Sequence, residues 1–105
     1  MASSLQGAID SITAQLIEKY KPEKIILFGS AARGDAAPDS DVDLLIIKSD
    51  TPSFSADRIM EVSGLIERDV AVDFLVYRPE EFEKRVGLGD PFIDLILKEG
   101  KVLYG

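Results

Sequence analysis

Three aspartates carry the strongest chemical signal in this chain. Asp41-Val42-Asp43 stands at the entrance of the apolar run Leu44-Leu45-Ile46-Ile47, and Asp73 interrupts a second run, Val70-Ala71-Val72-Asp73-Phe74-Leu75-Val76. Strand alternation sends residues two apart to one face, so Asp41 and Asp43 are expected to point the same way. Two neighbouring anions repel, and relief comes from water, from cationic side chains or from a hard divalent cation, which takes carboxylate oxygen readily. By itself an Asp-x-Asp pair more often solvates a loop end than holds a metal. Asp73 sharpens the question, because an unpaired carboxylate fully buried in a strand would cost several kcal/mol. It could pair with Arg33 or Arg68, lie at a wet strand end, or join the other two. If the two strands are neighbours, all three carboxylates converge at one sheet edge, where such an oxygen cage can serve two divalent ions.

Two other loops bear on the same chemistry. Asp39, Asp41 and Asp43 occupy the first, third and fifth places of a calcium-binding helix-loop-helix pattern, but Leu44 stands where glycine is needed and Asp50 where a bidentate Glu is needed. That reading is rejected. Gly29-Ser30 follows an apolar strand and could offer backbone N–H groups and a hydroxyl to a phosphate, although a lone Gly-Ser is usually only a turn. It is not a Walker loop, since no Gly-Lys-Ser or Gly-Lys-Thr follows, and the glycine spacing of a dinucleotide fingerprint is absent. Arg33 could reach phosphate oxygens or neutralise the aspartates, or serve as a solvated ion-pair residue.

The elements that must position these groups are legible from periodicity. Leu5, Ala8, Ile9, Ile12, Leu16, Ile17 and Tyr20 recur at helical steps, and Lys21-Pro22 ends that helix. Lys24–Phe28 reads as a buried strand, a helical turn follows Gly29-Ser30, and a second strand is expected from about Asp41 to Lys48. Ser55 could cap a helix through about Asp69, with Ile59, Val62, Leu65 and Ile66 facing inward. A third strand over Val70–Tyr77, a short helix from Pro79 to Val86, a helix from Asp90-Pro91 to Gly100 and a short strand at Val102–Tyr104 complete the chain. Leu5, Ile12, Phe92 and Ile96 are core candidates first and interface candidates second. Residues 1–105 are expected to form a single α/β (α+β) domain, a small mixed sheet packed against helices, with no repeat or linker.

Composition narrows the chemistry further. With 105 residues, no Cys and no His, the chain cannot build a thiolate or imidazole zinc site, a Ser-His-Asp triad or a cysteine protease site. A formal charge of −7 opposes direct nucleic-acid binding, which rests on clustered Lys and Arg. The apolar runs fall far short of the roughly 20 residues of a membrane-crossing helix. The first residues lack the basic stretch and apolar core of a secretory signal, so a cytoplasmic location is expected.

Gly29-Ser30, ten intervening residues, Asp41-Val42-Asp43 and a later strand Asp73 together resemble the polymerase beta nucleotidyltransferase superfamily, and particularly its minimal, MNT-type members. The resemblance covers nearly the whole chain, including Ala32-Arg33-Gly34-Asp35 and Pro38-Asp39-Ser40-Asp41. It implies that Asp41 and Asp43 ligate both of two magnesium ions, that Asp73 ligates the nucleophile-side ion, and that Gly29-Ser30 contacts the triphosphate of ATP. Ala31 stands where many relatives carry a larger residue such as Arg or Tyr, which removes one nucleotide or partner contact. No second, acceptor-binding domain is expected. In minimal members the acceptor is commonly a HEPN-type protein encoded nearby, the pair resembling a toxin–antitoxin module in which the MNT protein attaches AMP to the toxin within a hetero-oligomer. The alternatives are a non-catalytic antitoxin that binds nucleotide or partner, and transfer to a small hydroxyl compound such as an aminoglycoside.

Overall fold

A computed structural model of the chain describes residues 5–37 and 40–105. The opening residues bearing on a secretory signal, and Pro38 and Asp39 of the weighed motifs, lie outside the described residues. Helix α1 (Leu5–Gln15) runs on as a π-helical turn over Leu16–Tyr20, closed where Lys21 turns left-handed at φ 57° and its N–H reaches the Leu16 carbonyl at 2.9 Å. Strand β1 (Lys24–Phe28) leads into the one-turn helix α2 (Ser30–Arg33), then β2 (Val42–Ile47), α3 (Ser55–Leu65) and β3 (Val72–Tyr77). Helices α4 (Pro79–Gly87) and α5 (Pro91–Glu99) and strand β4 (Lys101–Tyr104) complete the order expected from sequence.

The four strands form one mixed sheet in the order β3-β2-β1-β4. β1 is antiparallel to both β2 and β4, whereas β2 and β3 run parallel and are joined through α3. The two faces of β2 explain the layering. Val42, Leu44 and Ile46 face a core built with Ile9, Ile12 and Leu16 of the first helix and Val62 of α3. Leu45 and Ile47 face a smaller core with Ile93 and Ile96 of α5. Every one of these β2 side chains is buried, so the strand reads as a continuous apolar run rather than an alternating one. Among the described residues no helix is long and apolar enough to cross a membrane.

Helix α3 departs from expectation in two ways. It ends at Leu65 rather than near Asp69, and Ile66 is already extended at φ −105°, ψ 119°. Arg68 accounts for the stop, because its guanidinium donates to the Ser63 and Ile66 carbonyls at 3.1 and 2.8 Å and satisfies acceptors left open at the helix end. Its inward stripe is Arg58, Val62 and the following Ile66, while Ile59 and Leu65 are exposed. Buried Arg58 donates to the Pro52, Ser53 and Val76 carbonyls and to both carboxylate oxygens of Glu81, at 2.6 and 3.1 Å. One side chain thus ties α3, β3 and α4 together. Pattern reasoning cannot place a charged residue at such a position, since only its partners make burial tolerable.

Replacing Arg58 with Ala should cost about 2 kcal/mol, because it strands several carbonyls and Glu81 at once; urea unfolding at neutral pH measures it. The hydrogen bonds from Arg58 and from the Arg78 backbone hold the Glu81 carboxyl at about 2, below its ordinary 4.5. A depressed folded-state value means that this contribution is complete above 4.5 and is lost as pH falls toward 2. Glu81→Gln should therefore flatten the acid limb of the stability curve in that window.

Candidate active site

β1 ends at Phe28, and the chain leaves it through Gly29 at φ 74°, ψ −157°, a conformation essentially reserved for glycine. The space a side chain would need there is taken by Asp43, whose Oδ2 an added Cβ would strike and whose Cγ it would approach to 3.2 Å. Glycine is thus required both by conformation and by the carboxylate against its backbone. Ser30 opens α2, whose Ala32 and Arg33 N–H groups close onto the Gly29 carbonyl at 3.1 and 3.2 Å.

Asp43 is the hub of the arrangement. It stands opposite Phe28 in the antiparallel pair and beside Asp73 in the parallel pair. Asp43 is half-buried, whereas Asp73 and Asp41 are exposed, Asp41 lying just ahead of β2 and two residues from Asp43. Burial holds the Asp43 carboxyl above the ordinary aspartate value; the Asp73 carboxylate and the charge of Asp41 raise it further, and Arg33 partly offsets them. The strand adjacency on which convergence depends is therefore present.

Neither arginine weighed as a partner for Asp73 pairs with it. Arg33 lies 3.3 Å from Asp35 and 3.7 Å from Glu99, and Arg68 turns to the α3 carbonyls with its guanidinium 5.3 Å from the centre of the Phe74 ring. Asp73 instead occupies a wet strand end, so the burial cost considered for it does not arise. Among the described residues no cationic side chain forms an ion pair with Asp41, Asp43 or Asp73. No three acidic side chains there close into a metal cage unaided. The donor chemistry nevertheless suits a hard cation: the three aspartates offer carboxylate oxygens, and the like charge of Asp43 and Asp73 is offset only in part by Arg33, which is ion-paired elsewhere.

Sequence reasoning missed the α5 side of this site. Phe92, taken first as a core candidate, is 45% exposed and meets Phe28 in a T-shaped contact at 5.8 Å between ring centres. A cavity of about 210 Å³ opens there, lined by Phe28, Gly29, Arg33, Phe92, Leu95, Ile96 and Glu99. The signal was available: Phe92, Ile93, Leu95, Ile96 and Leu97 are more apolar side chains than one face of a nine-residue helix can bury. A larger cavity of about 660 Å³ surrounds Arg58, Tyr77 and Lys84. Tyr77 lies four strand positions beyond Asp73, roughly 13 Å along β3, so the bigger space stands apart from the carboxylates.

The family described as nucleotidyltransferase domain matches residues 9–103. The chain belongs to that family. This nucleotidyltransferase is 35% identical over 101 residues to a Methanocaldococcus jannaschii protein named "putative protein adenylyltransferase", with 94% of this chain and 97% of that one covered. A second protein of the same organism and the same description is 34% identical over 65 residues, covering 59% and 66% of the two chains. The crystal structure of a "putative nucleotidyltransferase" from Sulfolobus solfataricus superposes with a TM-score of 0.54 at 27% identity, over 80% of this chain and 81% of that one. The family and the fold class expected from sequence are both met.

Two substitutions probe the hub. Gly29→Ala should lower stability by about 2 kcal/mol and displace Asp43, since it combines a disfavoured φ with a collision; chemical denaturation measures the first effect. Because Asp43 is raised in the folded state, its ionisation lowers stability as pH rises above the unfolded value of 3.8. Asp43→Asn should therefore raise Tm at pH 7 in metal-free buffer, and an unchanged or lower Tm would contradict the strained-pair account.

Proposed function

We propose that this nucleotidyltransferase transfers AMP from ATP, with magnesium, to a hydroxyl of a partner protein in the cytoplasm, the partner being a HEPN-type toxin that the transfer silences. The observation that carries the chemistry is Asp43, wedged between the Gly29 backbone and Asp73 and without an ion pair among the described residues. The choice of a protein acceptor is supported by relatives named as protein adenylyltransferases, one of which this chain covers almost end to end. A formal charge of −7 supports a protein rather than a nucleic acid as acceptor.

Magnesium bound by Asp43 with Asp41 and Asp73 would supply the positive charge that neutralises the triphosphate and lowers the pKa of the acceptor hydroxyl. Gly29, lacking a side chain, lets triphosphate oxygens approach the backbone, and the Ser30 hydroxyl at the start of α2 offers them a donor. Asp73, exposed on the outer strand, orients the acceptor hydroxyl and takes its proton. The hydroxyl oxygen then bonds to the α-phosphorus as the bond to pyrophosphate breaks. Half-buried Asp43 fixes the geometry from the centre.

Intact mass spectrometry of the HEPN-type protein encoded beside this chain, after incubation with it, ATP and magnesium, tests the transfer. A magnesium-dependent gain of one or more AMP units is expected, with none for Asp73→Asn, which should still bind nucleotide. No gain despite a stable complex would instead assign the chain a purely occluding role. Magnesium should also raise the Tm of the wild type and leave that of Asp43→Asn nearly unmoved.

A further inference from the structure

We propose that the cavity between β1 and α5 receives the nucleobase of the donor nucleotide, stacked on Phe92; this rests on the reading of the chain as a transferase that uses a nucleoside triphosphate. Position is the first reason. Across the reactive end of the sheet the order is Asp73, Asp43, Phe28, and Phe28 carries Phe92 of α5 on its ring. Gly29 belongs both to the cavity wall and to the contact with Asp43, so the cavity borders the carboxylates across that one residue.

Composition is the second. Phe28, Phe92, Leu95 and Ile96 present ring faces and methyl groups, and among the described residues the charged side chains lining the cavity are Arg33 and Glu99, 3.7 Å apart and already paired. Arg33 is further held by Asp35, and the Glu99 carboxylate repels phosphate. The polyphosphate end of a nucleotide therefore has no counter-charge there, whereas a flat heterocycle finds an aromatic wall and, at the rim, acceptor oxygens for an exocyclic amine. A volume of about 210 Å³ suits a single ring system and is too small for a peptide segment.

The third reason is exposure that packing does not explain. Phe92 and Leu95 are 45% and 49% exposed although both lie on the helix that closes the smaller core. The perpendicular contact with Phe28 fixes the Phe92 ring without covering it, which leaves a preorganised stacking surface.

Calorimetric titration of the full chain with ATP and, separately, with inorganic tripolyphosphate, both with magnesium, tests the assignment. Phe92→Ala should weaken ATP binding roughly tenfold, the scale of one base–aromatic stack, and leave tripolyphosphate binding unchanged. Phe92→Tyr should restore ATP affinity. Leu95→Ala, an aliphatic wall of the same cavity, should show a smaller loss confined to ATP and keeps the test open if Phe92→Ala does not fold. If these variants bind ATP as the wild type does, or lose both ligands equally, the cavity is not the base site, while tripolyphosphate binding by the wild type leaves the transferase reading standing. A wild type that binds neither ligand overturns both.

Discussion

The lateral pairing of Asp43 with Asp73 organises the end of the sheet where the aspartates gather, and it is an unfavourable contact held by favourable ones. In the parallel pair the same register that sets these carboxylates side by side also sets Leu44 beside Phe74, Leu45 beside Leu75 and Ile46 beside Val76. Leu44, Leu45 and Ile46 are fully buried. A slip of one residue would turn Asp43 or Asp73 toward the larger core and exchange the side chains fitted to the two cores, so hydrophobic burial enforces the register against the repulsion at its end. The site is thus built where the strands stop being apolar.

The same pairing requires a crossover that brings β3 back beside β2, and α3 supplies it. Burying a guanidinium in that helix is costly unless its donors are met, and Arg58 meets them with three carbonyls and Glu81. The result is an electrostatic tie at the far end of β3 from Asp73, joining the crossover helix, the strand it delivers and the start of α4. On the other face α5 begins with its Asp90 side chain accepting the Phe92 N–H at 2.9 Å, which sets where the aromatic ring meets β1.

Much of this was legible in the residues. Lys24–Phe28 forms the strand that its apolar run indicates, Pro79 and Asp90-Pro91 start helices where proline and a capping carboxylate say they should, and both aspartate-bearing strands lie where expected. The adjacency of β2 and β3 was only an assumption at that level, because strand order depends on long-range packing. The inward place of Arg58 was invisible because hydrophobic periodicity counts charge as surface. Phe92 was misjudged for the opposite reason: an aromatic residue on a helix counts as core, although α5 has more apolar residues than the small second core can cover. The early end of α3 depended on Arg68 reaching back to its carbonyls, a contact that no local propensity encodes.

β3 is the outermost strand of the sheet, and Asp73 is its second residue. An outermost strand has a neighbour on one flank only, so among the described residues no further strand borders Asp73 on its outer side. The Asp43–Asp73 pair is therefore walled on one side, by the Gly29 backbone against Asp43, while exposed Asp73 faces outward along the open flank. A bulky group can approach the two carboxylates from that flank without any strand having to part, so access to them requires no opening of the sheet.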